Sequence, residues 1–184
     1  MLRRALISVA LLAGLVLAGG YAAARSTPDL VTNGPTSVTG TDATAVFEVG
    51  DRTVRQVRYD DGGTLTYTFQ VVNHGRLPVT VLGIAPGQDD PRLFAFAGLT
   101  GADGEQHVEV GSGDAAELTL ALRMGGCETL SSRSGSFVTE IRVRTSQAGL
   151  FEDDVVLTLP EQLHTGSPRE AFCPSSTATS RPPG

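Results

Sequence analysis

Polar and apolar residues alternate with a period of two along most of the chain between residues 43 and 173. In the segment 64–72 (TLTYTFQVV), Leu65, Tyr67, Phe69 and Val71 fall on one side, and Thr64, Thr66, Thr68 and Gln70 on the other. Successive side chains of a strand point to opposite faces, so the pattern predicts a strand with one buried and one wet face. Asn73-His74-Gly75 breaks this strand, and Pro78-Val79-Thr80-Val81 begins the next. Ala116, Leu118, Leu120 and Leu122 alternate with Glu117 and Thr119. Phe137, Ile141 and Val143 read as sharing a face opposite Val138, Glu140, Arg142 and Arg144. Val155, Leu157 and Leu159 form a last strand that Pro160 ends. Shorter strands are expected at 45–49, 52–59, 93–97 and 107–110. Asp60-Asp61-Gly62-Gly63 has the chemistry of a hairpin turn, and Gly111-Ser112-Gly113-Asp114 that of a second turn. No part of 43–173 carries a helical apolar stripe longer than about two turns. The expected fold is all-β, a two-sheet antiparallel sandwich of about seven to nine strands.

The flanks differ. Arg3 and Arg4 precede a charge-free run over residues 5–24, in which 5–18 (ALISVALLAGLVLA) is almost wholly aliphatic. Ala22, Ala23 and Ala24 place small residues where a signal peptidase reads, while the length of the run is enough to cross a hydrocarbon core. Residues 1–24 are therefore a signal peptide or a transmembrane anchor, an N-terminal hydrophobic helix ahead of the domain. Either way the arginines hold the start of the chain on the cytoplasmic side, and the remainder is exported. No cysteine lies in this region, which excludes lipoprotein-type attachment. Residues 25–42 (RSTPDLVTNGPTSVTGTD) read as a flexible linker, 43–173 as the sandwich, and 174–184 (PSSTATSRPPG) as a disordered tail.

Composition narrows the chemistry. All 14 basic residues are Arg, so the chain has no Lys for a Schiff base, a Walker-A loop or a Ser-x-x-Lys acylase. The net charge of −6 becomes more negative once Arg3 and Arg4 are set aside, which disfavours nucleic acid and anionic headgroups as partners. No G-x-S-x-G elbow occurs, and His74, His107 and His164 lie far apart with no zinc-type spacing. Asp60-Asp61, Asp89-Asp90 and Asp153-Asp154 could gather around calcium, but none has the D-x-D-x-D-G loop and turn chemistry explains them equally well. With no Trp and few aromatics, a sugar-binding hydrolase cleft is poorly supported. No cofactor and no metal ligand set is expected. Cys127 and Cys173 are the only two cysteines. In an oxidising compartment they form one disulfide, the alternative being two buried thiols. Leu93, Phe94 and Phe96, with Val54 and Val57, do not fit a one-sided strand. They either cover the core from edge strands or, in the case of Leu93, Phe94 and Phe96, form a partner patch.

The segment 62–84 (GGTLTYTFQVVNHGRLPVTVLGI) resembles the strand–loop–strand of bacterial immunoglobulin-like domains. With LTLALRMGGC and the closing AFCP, the chain is similar to uncharacterised membrane-anchored or secreted actinobacterial proteins over about residues 43–174. The resemblance implies an immunoglobulin-like sandwich and the Cys127–Cys173 pairing, and no catalytic residue. It departs from antibody domains in lacking Trp and in having both cysteines late. The function it points to is non-enzymatic: protein interaction or envelope organisation from the outer side of the cell membrane, with an envelope or extracellular protein as partner. Full secretion as a binding protein for a metal or small ligand is the alternative, and an envelope hydrolase the weakest reading. Oxidation of Cys127 and Cys173 predicts that intact mass rises by about two daltons on reduction. An unchanged mass would establish free thiols.

Overall fold

The structure, a computed structural model, describes residues 14, 27–40, 44–57, 62–91, 93–125, 135–147 and 149–165. It is all-β and sandwich-like, built from ten strands. These are β1 (Leu30–Thr39), β2 (Thr44–Val49), β3 (Arg52–Val57), β4 (Thr64–Asn73), β5 (Val79–Ile84), β6 (Phe94–Gly101), β7 (Val108–Val110), β8 (Ala115–Met124), β9 (Ser136–Gln147) and β10 (Phe151–Thr165). One sheet has the order β1-β4-β8-β6, the other β2-β3-β10-β9-β5-β7. Residues 1–13 and 15–26, with the hydrophobic helix expected there, lie outside the described residues, as do Cys127, Cys173 and 174–184.

Alternation drives the core. Leu65, Tyr67, Phe69 and Val71 of β4 are fully buried, and so are Leu118, Leu120 and Leu122 of β8, their antiparallel neighbours. Ile141, Val143 and Leu157 meet them in the same apolar cluster, together with Val79 and Val81 from the far sheet. Each such side chain contributes on the order of 1.5–3 kcal/mol by leaving water. The outward face of the four-stranded sheet is polar. Ser37, Thr68, Thr119 and Thr100 lie in register across all four strands, and the Thr68 and Thr119 hydroxyls are 3.0 Å apart.

Four expectations are corrected. The stretch read as a linker holds β1, a tenth strand paired with β4 from Leu30↔Asn73 to Thr39↔Thr66. Thr and Val suit an extended edge, and the register shift between Asn33 and Ser37 accommodates Gly34-Pro35. Secondly, β3 and β4 belong to different sheets, so Gly62 and Gly63 lie in a crossover and not in a hairpin turn. Thirdly, Pro160 does not end β10. It falls in the register break between Thr158 and Leu163, where the ladder needs no N–H from it. That same bulge shifts the phase of the ladder, so Val138 is buried and Phe137 is half exposed on the opposite face from Ile141. Finally, the sandwich is not wholly antiparallel, because β3 runs parallel to β10 over Val54–Val57 and Gln162–Thr165.

Asn73 fastens the two sheets at one end. The residue is fully buried at the last position of β4. Its Nδ2 donates to the carbonyls of Leu77 (2.8 Å) and Val110 (3.0 Å), and its Oδ1 accepts from the Gly75 N–H (2.9 Å). The Asn73 N–H donates to Asp114 O, and its carbonyl accepts from Gly113 N, so the 111–114 turn is held against the same residue. At the opposite end of β1, Gly40 has φ +87°, and a Cβ there would collide with the Thr64 carbonyl. Only glycine lets the chain leave β1 past the start of β4 at that point.

Asn73→Ala is expected to cost about 2–4 kcal/mol in urea denaturation of the full chain, since it strands the buried Val110 carbonyl and the part-buried Leu77 carbonyl. Asn73→Asp should be comparably harmful because a carboxylate cannot donate to either carbonyl. His74→Ala, at an exposed neighbour, should stay within about 0.5 kcal/mol.

Candidate functional site

A two-residue turn, Gly50-Asp51, joins β2 and β3 into a hairpin whose register runs from Thr44↔Val57 to Val49↔Arg52. Gly50 takes φ +64°, the left-handed geometry that tight hairpins require. The hairpin is the outermost part of the six-stranded sheet. β3 pairs with β10, while β2 has, among the described residues, β3 alone as a hydrogen-bonded neighbour. Along β2, Val46, Phe47 and Val49 are each 41–55% exposed. Val46 stands on the face of its register partner Arg55, and Phe47 on that of Val54.

Two features hold the hairpin to the body. One is the short parallel ladder to β10. The other is the Arg55 guanidinium, whose Nε and Nη2 donate to the two carboxylate oxygens of Glu161 at 2.6 and 2.8 Å. Nη2 also reaches Thr36 Oγ1 of β1 at 3.2 Å, so one side chain links β3, β10 and β1 across the seam between the sheets. With side-chain exposures of 14% and 10%, Arg55 and Glu161 form a largely desolvated fork-to-fork pair. The hydrogen bond that Arg55 donates to Glu161 raises the Arg55 pKa further. Beneath them Tyr67 is fully buried. Its hydroxyl faces Thr36 and the Glu161 backbone without a well-formed hydrogen bond. Burial first, and then the Glu161 charge, push the phenol well above its ordinary value of 10.0.

A cleft of about 390 Å³ opens between the hairpin tip and the β10 bulge, with Asp51, Arg52, Glu140, Thr158 and Pro160 among its walls. It offers charge and hydroxyl recognition, and among the described residues no His, Cys or Ser stands in its wall. On the other side of Gln162, Phe137 of β9 stacks on His164 of β10 with ring centroids 4.4 Å apart.

The residues singled out from the sequence go elsewhere. Leu93 and Phe94 are buried, and Phe96 packs partly buried against the core, so the patch proposed at Leu93, Phe94 and Phe96 is core cover. Leu93 has φ +73°, the only non-glycine residue with positive φ among those described. Its carbonyl accepts from Gly125 N, which holds the loop down on the end of β8. Val57 joins the core cluster, whereas Val54 is buried outside it, beside Phe47. Asp90 accepts the Phe96 N–H, Asp153 accepts the Asp154 N–H, and Asp154 pairs with Arg144 at 3.2 Å. Asp60 and Asp61 lie outside the described residues. His74 and His107 are exposed, on separate loops from the half-buried His164. Among the described residues no three metal-ligating side chains gather. Sequence reasoning missed the Arg55–Glu161 pair, whose partners stand 106 positions apart with no local signal. It also missed the edge position of β2, which only strand order reveals.

No family model and no curated protein matches the chain. Solved structures similar to it include a Bordetella pertussis protein designated ApaA (14% identity, 78% of this chain and 98% of that one, TM-score 0.34). A structural-genomics consortium target is 10% identical over 73% of this chain and 87% of its own, with TM-score 0.33. The cupredoxin domain of amoB from Nitrosocaldus yellowstonii is 10% identical over 66% of this chain and 65% of that one, with TM-score 0.27. At such TM-scores the likenesses bear on neither topology nor function.

Tyr67→Phe removes a buried hydroxyl that lacks a good partner, so stability at neutral pH should hold or rise by up to about 1 kcal/mol. The phenol of the unfolded chain ionises near 10.0 while the buried one stays protonated. Raising the pH through that value therefore favours unfolding of the natural protein. Urea titrations across the alkaline range should show natural protein losing stability relative to Tyr67→Phe. Parallel curves would show that the phenol is not protected.

Proposed function

We propose that this chain is an extracytoplasmic immunoglobulin-like domain, displayed from the membrane by residues 1–24, which acts by binding another protein or organising the envelope and not by catalysis. The observation that carries the reading is the outer edge of the six-stranded sheet. There a strand of low charge, with no second neighbour among the described residues, exposes Val46, Phe47 and Val49, the kind of edge that strand-adding partners use. The outward face of the four-stranded sheet, by contrast, is lined with hydroxyls. Strand order supports the immunoglobulin-like part of the reading. β1-β4-β8-β6 opposite β3-β10-β9-β5 corresponds to an A-B-E-D sheet opposite a G-F-C sheet with an added parallel strand. Among the described residues no helix is long and apolar enough to cross a membrane. Display rests on the charge-free run after Arg3 and Arg4.

Cell fractionation with N-terminal sequencing tests display. The reading expects intact Met1 in the membrane fraction, with the domain open to protease added outside the cell. A mature chain starting at Arg25 in the medium would overturn display in favour of a secreted binding protein.

A further inference from the structure

We infer that the β2–β3 hairpin, residues 44–57, opens from β10 and recloses as one unit while the rest of both sheets stays folded, with the Arg55–Glu161 fork as its latch. The first observation is where the chain leaves the body and where it returns. β1 stays paired with β4 as far as Thr39↔Thr66. Gly40 then lies directly against the Thr64 carbonyl, so closely that a Cβ would clash. The returning end is pinned separately. The Gly62 N–H donates to the Met124 carbonyl (3.1 Å), and the Met124 N–H donates to the Gly63 carbonyl (2.8 Å). Departure and return are thus held side by side by the four-stranded sheet. Residues 44–57 can leave β10 without unpairing β1 from β4 or β4 from β8.

The second observation is how little of the hairpin is built into the core. Among its described residues Val57 alone joins the apolar cluster, and Ala45–Val49 of β2 are all exposed. The ladder to β10 is parallel and short, from Gln162↔Val54 to Thr165↔Val57, whereas β4 pairs with β8 from Thr64↔Arg123 to Val72↔Ala115. Parallel pairing is also slightly weaker per residue. Local opening follows buried apolar surface and backbone pairing, so this unit opens more readily than the core strands. The fork supplies what the core does not. Arg55 holds Glu161 at 2.6 and 2.8 Å and Thr36 at 3.2 Å, and both partners sit on strands that stay behind. While the fork is closed the hairpin is a rigid extension of the sheet; once it parts, chiefly Val57 and the short ladder remain. The consequence reaches the cleft, whose walls include Asp51 and Arg52 on the hairpin and Glu140 and Thr158 on β9 and β10. The cleft exists in the closed state and is lost in the open one, so an occupant touching both walls would hold the latch shut.

Hydrogen–deuterium exchange on the full chain provides the test. β3 has a strand on each side, β2 and β10, as β4 and β8 also have neighbours on both sides. Its amides should nevertheless exchange at least about tenfold faster than those of β4 and β8, and with a weaker dependence on urea, because opening the hairpin exposes less surface than unfolding the chain. Glu161→Gln takes the charge from the fork and should speed β3 exchange about tenfold further. Ile141→Val loosens packing that survives opening, so it should speed β4 and β8 about fivefold and leave β3 unchanged. Exchange of β3 at the rate and urea dependence of β8 in the natural chain would overturn the inference, and that comparison needs no variant. It would equally fall if Ile141→Val sped β3 as much as β8, since β3 would then exchange by global unfolding. An unchanged β3 rate in Glu161→Gln would overturn the fork as the latch.

Discussion

Asn73 stands where β4 must release the chain toward the opposite sheet, and its amide satisfies three backbone groups, a buried one at Val110 and part-buried ones at Leu77 and Gly75. Two of those groups, the carbonyls of Leu77 and Val110, lead into and out of strands of the six-stranded sheet. The third, the Gly75 N–H, fixes the turn between β4 and β5. One planar amide thus sets the separation and relative placement of the two sheets at this end. The aliphatic faces of β4, β8, β9 and β10 can interdigitate only at that separation. An apolar residue here would leave the core its volume and deprive it of its alignment.

At the other side of the sandwich the sheets are closed by a different device. Arg55 reaches from β3 to Glu161 on β10 and to Thr36 on β1. The pair occupies the seam where β1, the edge of the four-stranded sheet, meets β3 and β10. A charged pair in such a place contributes less net stability than its short distances suggest, because both groups have left water. What it does supply is direction. The guanidinium fork fits its carboxylate in one geometry, which fixes how the β2–β3 hairpin leaves the body. The exposed edge is thereby presented as a rigid extension of the sheet.

The strands that form the core were legible in the sequence, and the reason is physical. Leu65, Tyr67, Phe69 and Val71 alternate without interruption, and so do Leu118, Leu120 and Leu122, because their strands lie between two others and bury one face continuously. Where the ladder is irregular, the same reasoning slipped. The bulge around Pro160 places Val138 inside and Phe137 outside, reversing the assignment that unbroken alternation gives. β1 escaped notice because its polar composition offers little to bury beyond Leu30 and part of Val38. Its order comes from backbone hydrogen bonds to β4, a strand already held by the core.

Taken by itself, the amino-acid sequence determined the all-β class, the central core strands and the charge-free run near the N-terminus, each of which depends only on neighbours in the chain. Tertiary structure alone decided which strands share a sheet, which of them is left at the edge, and which distant charges meet. Those outcomes depend on contacts between residues as far apart as Arg55 and Glu161, and local periodicity carries no record of them. The candidate site belongs wholly to the second group. An edge is defined by the strand that is missing beside it, and β2 becomes one only once β3 has chosen β10.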